Sequence, residues 1–129
     1  MSSTANLPTI MIAEDEHVNY LLLEMWLKDK CHILHATDGN EAIEIFKNHP
    51  EIALILMDIK MPYTDGKEAT KAIRKINDTI PILAQSAFVM DYENQDILES
   101  GCNAVLNKPI RKEEFNALLN KFLPNLNLN

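Results

Sequence analysis

Basic residues are scarce in this chain. Its 12 Lys and Arg stand against 19 Asp and Glu, a formal charge of −7. No basic stripe is available to neutralise phosphates, which argues against a nucleic-acid partner. Long apolar runs are missing as well. Nothing approaches the roughly 18 residues of a membrane span, and the polar opening MSSTANLP is not a secretory signal. The polypeptide is therefore expected to be cytoplasmic and without direct membrane contact, although a longer, membrane-attached parent stays open. The two cysteines, Cys31 and Cys102, are far apart and lack metal-type spacing. They read as small buried hydrophobes in a reducing compartment. Nor do His17, His32, His35 and His49 show ligand spacing, so they read as surface or half-buried side chains. His17, beside a run of acids, is expected near the rim of a cleft. With no internal repeat and no linker, the 129 residues form one domain with a core of its own.

What is present centres on Leu54 to Pro62, LILMDIKMP. Leu54, Ile55, Leu56 and Met57 form an uninterrupted apolar run, as in a strand buried on both faces of a parallel sheet. Asp58 follows where that strand emerges, at the end where open α/β sheets place their ligands. Alone, it reads more readily as a helix cap or a turn former.

Taken in order, the chain alternates between strand and helix. Residues 1–8 read as a flexible tail. Thr9–Ala13 is a short strand running into Glu14-Asp15-Glu16. Val18, Leu21, Leu22 and Met25 then recur at helical spacing up to about Lys30, and Met25 and Trp26 are expected to pack this helix on the sheet. His32–Ala36 is a second strand. Asp38 caps a helix whose apolar face is Ala42, Ile43 and Phe46. After the central strand, Thr64-Asp65-Gly66 is turn chemistry ahead of a helix with Ala69, Ala72, Ile73 and Ile76 on one side. Pro81–Ser86 reads as a fourth strand and Met90–Ser100 as a more polar helix stopped by Gly101. Its acids Glu93, Asp96 and Glu99 form a solvated face or a docking surface. Ala104–Asn107 is a fifth strand, and Phe115, Leu118, Leu119 and Phe122 mark a last helix ended by Pro124. Residues 124–129 read as a second tail.

Five strands alternating with five helices predict a doubly wound parallel sheet covered on both faces, in the order 2-1-3-4-5. That order brings Glu14, Asp15 and Asp58 to one edge. Clustered carboxylates need a compensating cation, and an all-oxygen ligand set favours a hard ion such as Mg2+. The competing reading is a solvated turn with acids at a helix N-terminus. Ser86 ends the fourth strand with a hydroxyl, and Lys108 ends the fifth with an ammonium. Together these groups are an inventory for moving a phosphoryl group onto a carboxylate. Pro109 makes a cis peptide after Lys108 plausible, which would help aim the lysine. Phe88 and Met90 are expected at the cleft mouth.

The segments Ile12–Leu27, Leu54–Gly66, Pro81–Ala87 and Asn107–Ile110 resemble, in order, those of two-component response-regulator receiver domains. In wording they are most similar to receivers of hybrid sensor kinases and phosphorelays. The resemblance covers 9–123. It implies that Asp58 is the phosphoacceptor, that Glu14, Asp15, Asp58 and the Lys60 main-chain carbonyl hold Mg2+, and that Ser86 and Lys108 bind the phosphoryl group. It also implies a histidine kinase or histidine phosphotransfer domain as phosphoryl donor. The chain is then a stand-alone relay piece or the cytoplasmic part of a hybrid kinase, with no output domain in this stretch. Two other readings are an aspartate-nucleophile phosphohydrolase and a degenerate receiver serving as an interaction domain. The hydrolase is disfavoured because it needs an acid where Lys60 stands. One position departs from the family pattern: Val105 stands where many receivers carry a Tyr or Phe that swings inward on phosphorylation. Signalling is then expected through onward transfer of the phosphoryl group, or through the loop Ala87–Tyr92.

Overall fold

A strand as apolar as Ile52–Met57 has to be covered on both faces. The computed structural model, which describes residues 7–87 and 91–128, shows how. Five strands, β1 (Thr9–Ala13), β2 (His32–Ala36), β3 (Ile52–Asp58), β4 (Ile82–Ala87) and β5 (Ala104–Lys108), alternate with five helices. The helices are α1 (His17–Leu27), α2 (Gly39–Asn48), α3 (Gly66–Arg74), α4 (Asp91–Glu99) and α5 (Lys112–Phe122). Every strand pair is parallel and the order is β2-β1-β3-β4-β5, as the alternation predicts.

Side chains along β3 alternate between two cores. Leu54 and Leu56 pack with Leu23 and Leu27 of α1 and with Phe115 and Leu119 of α5. Ile55 and Met57 pack with Ala42 and Phe46 of α2, Ala69 and Ile73 of α3 and Ile97 of α4. The helix ends follow from local chemistry. Asp38 and Asp65 each accept a backbone N–H from three residues on, Glu41 and Glu68, which satisfies donors the first turn leaves open. Gly101, at φ +120, supplies the positive φ that ends α4. The Lys108–Pro109 peptide is cis. Cys31 and Cys102 are buried free thiols in opposite cores, and burial pushes the Cys31 thiol up to about 12.

Three expectations need correction. In α1 the stripe turned to the sheet is Leu23 and Leu27, with Trp26 set against Phe115 at 5.0 Å between ring centroids. Val18, Leu21 and Met25 are instead exposed. Tyr20–Leu27 is apolar almost all round, so more than one stripe satisfies the helical period, and the sheet covers only one of them. Ile76 is likewise exposed, because α3 ends at Arg74 before its next turn can reach the core. The C-terminal segment is no loose tail. Pro124–Leu126 forms a 3-10 turn, Leu126 and Leu128 are buried with the α1/α5 core, and Leu128 exchanges two hydrogen bonds with the Asn120 side chain. Among the described residues, no helix is long and apolar enough to cross a membrane.

Since Leu126 is 4% exposed, Leu126→Ala is expected to cost about 2 kcal/mol, the low end for a buried leucine near a chain end. Urea unfolding measures this, and an unchanged midpoint would show that the segment contributes nothing.

Candidate functional site

Because β1 and β3 are neighbours, their carboxyl ends set Glu14 and Asp15 beside Asp58. One oxygen from each of these three carboxylates lies within 4.8 Å of the others, with Glu14 and Asp58 buried and Asp15 exposed. Lys108 reaches the same point from the end of β5. Its Nζ is 3.3 Å from Glu14 Oε1 and 3.3 Å from Asp58 Oδ2. Asp58 Oδ1 accepts the Lys60 N–H at 3.2 Å. Ser86 lines the same cleft, a space of about 310 Å³ also bounded by Glu16, Lys60 and Ala87. Its hydroxyl donates to the Ala87 carbonyl at 3.0 Å. Ser86, Lys108 and the acids are thus brought together, and Lys60 joins them at the rim. His17 is exposed and does not line this cleft. Phe88 and Met90 lie outside the described residues.

The electrostatics follow from crowding. Burial pushes the Asp58 carboxyl up to about 8, and the neighbouring Glu14 adds to this; Lys108 and the Lys60 N–H pull the other way without winning. Burial alone would lower the Lys108 ammonium, but the carboxylates of Asp58 and Glu14 outweigh it and raise it. When all three carboxylates are ionised, Lys108 balances one of their negative charges. Two remain, and their oxygen donors at an open cleft fit a hard divalent cation such as Mg2+.

Several residues with a hold on the site escape sequence reasoning. Asn19 of α1 donates from Nδ2 to Glu14 Oε1 and to Gln85 Oε1. His35 Nε2 donates to the Glu14 carbonyl at 2.8 Å while its ring stacks on Tyr20 at 3.6 Å. Gly66 leaves room for the Asp58 carbonyl oxygen, 2.2 Å from where a Cβ would stand, and Gly39 does the same for Thr64 at 2.0 Å. Asn40 accepts the Thr64 hydroxyl at 2.6 Å, so the loop after Asp58 is pinned at both glycines. One signal was visible: Gln85 is a polar residue directly after the apolar run Ile82-Leu83-Ala84 inside β4.

A family model described as the response regulator receiver domain matches residues 10–120. The osmosensing histidine protein kinase SLN1 of Saccharomyces cerevisiae is 34% identical over 94% of this chain, which spans only 12% of that protein. Among solved structures, the receiver domain of sensor histidine kinase PA1611 from Pseudomonas aeruginosa, with a magnesium ion coordinated in its active site cleft, superposes with a TM-score of 0.83. It is 27% identical and covers 92% of this chain and 98% of that one. The co-crystal structure of the Saccharomyces cerevisiae histidine phosphotransfer protein Ypd1 with the receiver domain of Ssk1 also gives 0.83, at 27% identity, with 90% and 88% covered.

In metal-free, chelator-containing buffer, Asp58 binds a proton more tightly folded, near 8, than its ordinary value of 3.8. Between those values the folded state holds more protons, so the Asp58 contribution to stability falls as pH rises. Asp58→Asn is expected to flatten that slope and to raise the urea midpoint at pH 8 relative to wild type. An equal or lower midpoint for the variant would contradict this.

Proposed function

This chain belongs to the response-regulator receiver family, and from that premise we propose that Asp58 accepts a phosphoryl group from a phosphohistidine in a Mg2+-assisted reaction. A receiver domain of two-component and phosphorelay signalling is a phosphoacceptor. The observation carrying the assignment of Asp58 is its position between Glu14, Asp15 and Lys108, at the tip of the central buried strand.

In this reading an ionised Asp58 oxygen attacks the phosphorus. The bond from phosphorus to the donor imidazole nitrogen breaks, and the electron pair leaves with the imidazole. Lys108 stands ready to turn from Asp58 and Glu14 to a phosphoryl oxygen. Ser86, once its hydroxyl releases the Ala87 carbonyl, donates to another. Glu14, Asp15, Asp58 and the Lys60 carbonyl would hold the metal. The ion would supply positive charge to the acids and to the phosphoryl oxygens. Burial of Asp58 limits water at the acyl phosphate. The unit runs from residue 9 through the packed C-terminal segment to Leu128, and its donor is a histidine kinase or a histidine phosphotransfer domain. The likeness to a receiver that pairs with Ypd1 supports the second.

Acetyl phosphate with Mg2+ is expected to add one hydroxylamine-labile phosphoryl group to the wild type by intact mass, and none to Asp58→Asn or after chelation. Lys108→Ala is expected to slow labelling at least tenfold, in line with loss of one preorganised charge contact. Undiminished labelling of Asp58→Asn would refute the assignment. Steady turnover of an ordinary phosphomonoester would favour a hydrolase.

A further inference from the structure

Glu14 is fully buried, yet its carboxylate is held by donors from β5, from α1 and from the loop that leads into α1. Lys108 and Asn19 reach Oε1, and the Glu16 N–H reaches Oε2 at 3.1 Å. Of these, Asn19 has a side chain whose orientation is itself determined. Its Nδ2 donates one hydrogen to Glu14 and the other to Gln85 Oε1 at 3.2 Å. Turning that amide over would set its carbonyl oxygen against the acceptor-only Glu14 carboxylate, so the nitrogen faces Glu14, and Gln85 Oε1 takes its second hydrogen and anchors the side chain. Gln85 has no exposed surface, and its Nε2 has no hydrogen-bond partner among the described residues. A glutamine is held here despite that unpaired donor, and the hydrogen bond it does make is the one to Asn19. Its backbone serves the site too: Gln85 is in register with Asp58, and its carbonyl accepts the Ile59 N–H at 3.0 Å. A single residue of β4 therefore fixes the strand end bearing Asp58 and, through α1, the acid beside it.

We propose that Asn19 and Gln85 are positioning residues that act in series on Glu14, setting the affinity of the acidic cluster for a divalent cation. This rests on the cation-binding reading given above. Neither residue lines the acid cleft, so each acts through Glu14 rather than on the ion.

Calorimetric titration of Mg2+ into the wild type, Asn19→Ala, Gln85→Met and the double variant tests this, with thermal midpoints recorded in chelator. Alanine suits the α1 interior and methionine fills the Gln85 volume, so both variants are expected to fold. Asn19→Ala is expected to weaken Mg2+ binding about tenfold, as loss of an outer partner of a ligand does. Gln85→Met should weaken it less, and the double variant should bind no worse than Asn19→Ala, because Gln85 acts only through Asn19. The Gln85→Met midpoint should hold or rise, since the unpaired amide is gone. Unchanged affinity in the variants of a wild type that binds Mg2+, or losses that add, would overturn this inference alone. A wild type that fails to bind Mg2+ would overturn the cation-binding reading and this inference with it.

Discussion

Mutual repulsion among carboxylates at the end of β3 is the constraint around which the molecule is arranged. Glu14, Asp15 and Asp58 converge within 4.8 Å, two of them buried. Taking an ionised carboxylate out of water costs several kcal/mol unless something compensates. Lys108 supplies one compensation and the hydrogen bonds to Glu14 another, and together they leave a deficit that a divalent cation fits. Burial first, and then the neighbouring Glu14, raise the Asp58 carboxyl. A site so loaded is sensitive to any charge brought into it.

Holding like charges together requires a rigid frame, and the parallel sheet provides it. Adjacent β1 and β3 align the acids, while β5, beyond β4, delivers Lys108 from the other side. The start of β5 is fastened by Arg74, whose guanidinium donates to the Gly101 carbonyl and to Asn103 Oδ1, each at 2.9 Å. Asn103 Oδ1 in turn accepts the Ile82 N–H at the start of β4. The loop after Asp58 is fixed by close approach at Gly39 and Gly66, where any side chain would collide with backbone. On β5, Val105 is half-buried against the α2/α3/α4 core. An aliphatic side chain fills that position in the packed sheet.

The acids, Ser86 and Lys108 were legible because each stands at or just past the end of a largely apolar strand. Asn19 and Gln85 were not. An Asn on a helix reads as solvated, and a lone Gln in a strand reads as a local defect, until the two are found across the α1–β4 gap bonded to one another. His35 was set aside for lack of ligand spacing, yet it holds the Glu14 backbone rather than a metal.

The sequence by itself determined the alternation of elements, the strand order and the residues at the sheet's carboxyl edge. The alternation follows from hydrophobic period, which acts locally, and the order from the crossover rule and the common arrangement of five-stranded doubly wound sheets. Only the tertiary structure decided the phase of α1, the fate of the last residues and the wiring of Glu14. In α1 the apolar residues run almost all round, and period alone does not select a face; Leu23 and Leu27 are buried because that face meets β1, β3 and α5. Leu126 and Leu128 are covered because α5 offers them a surface and Asn120 pairs with the Leu128 backbone. Contacts of this kind join residues distant in sequence, and their energies depend on which surfaces meet.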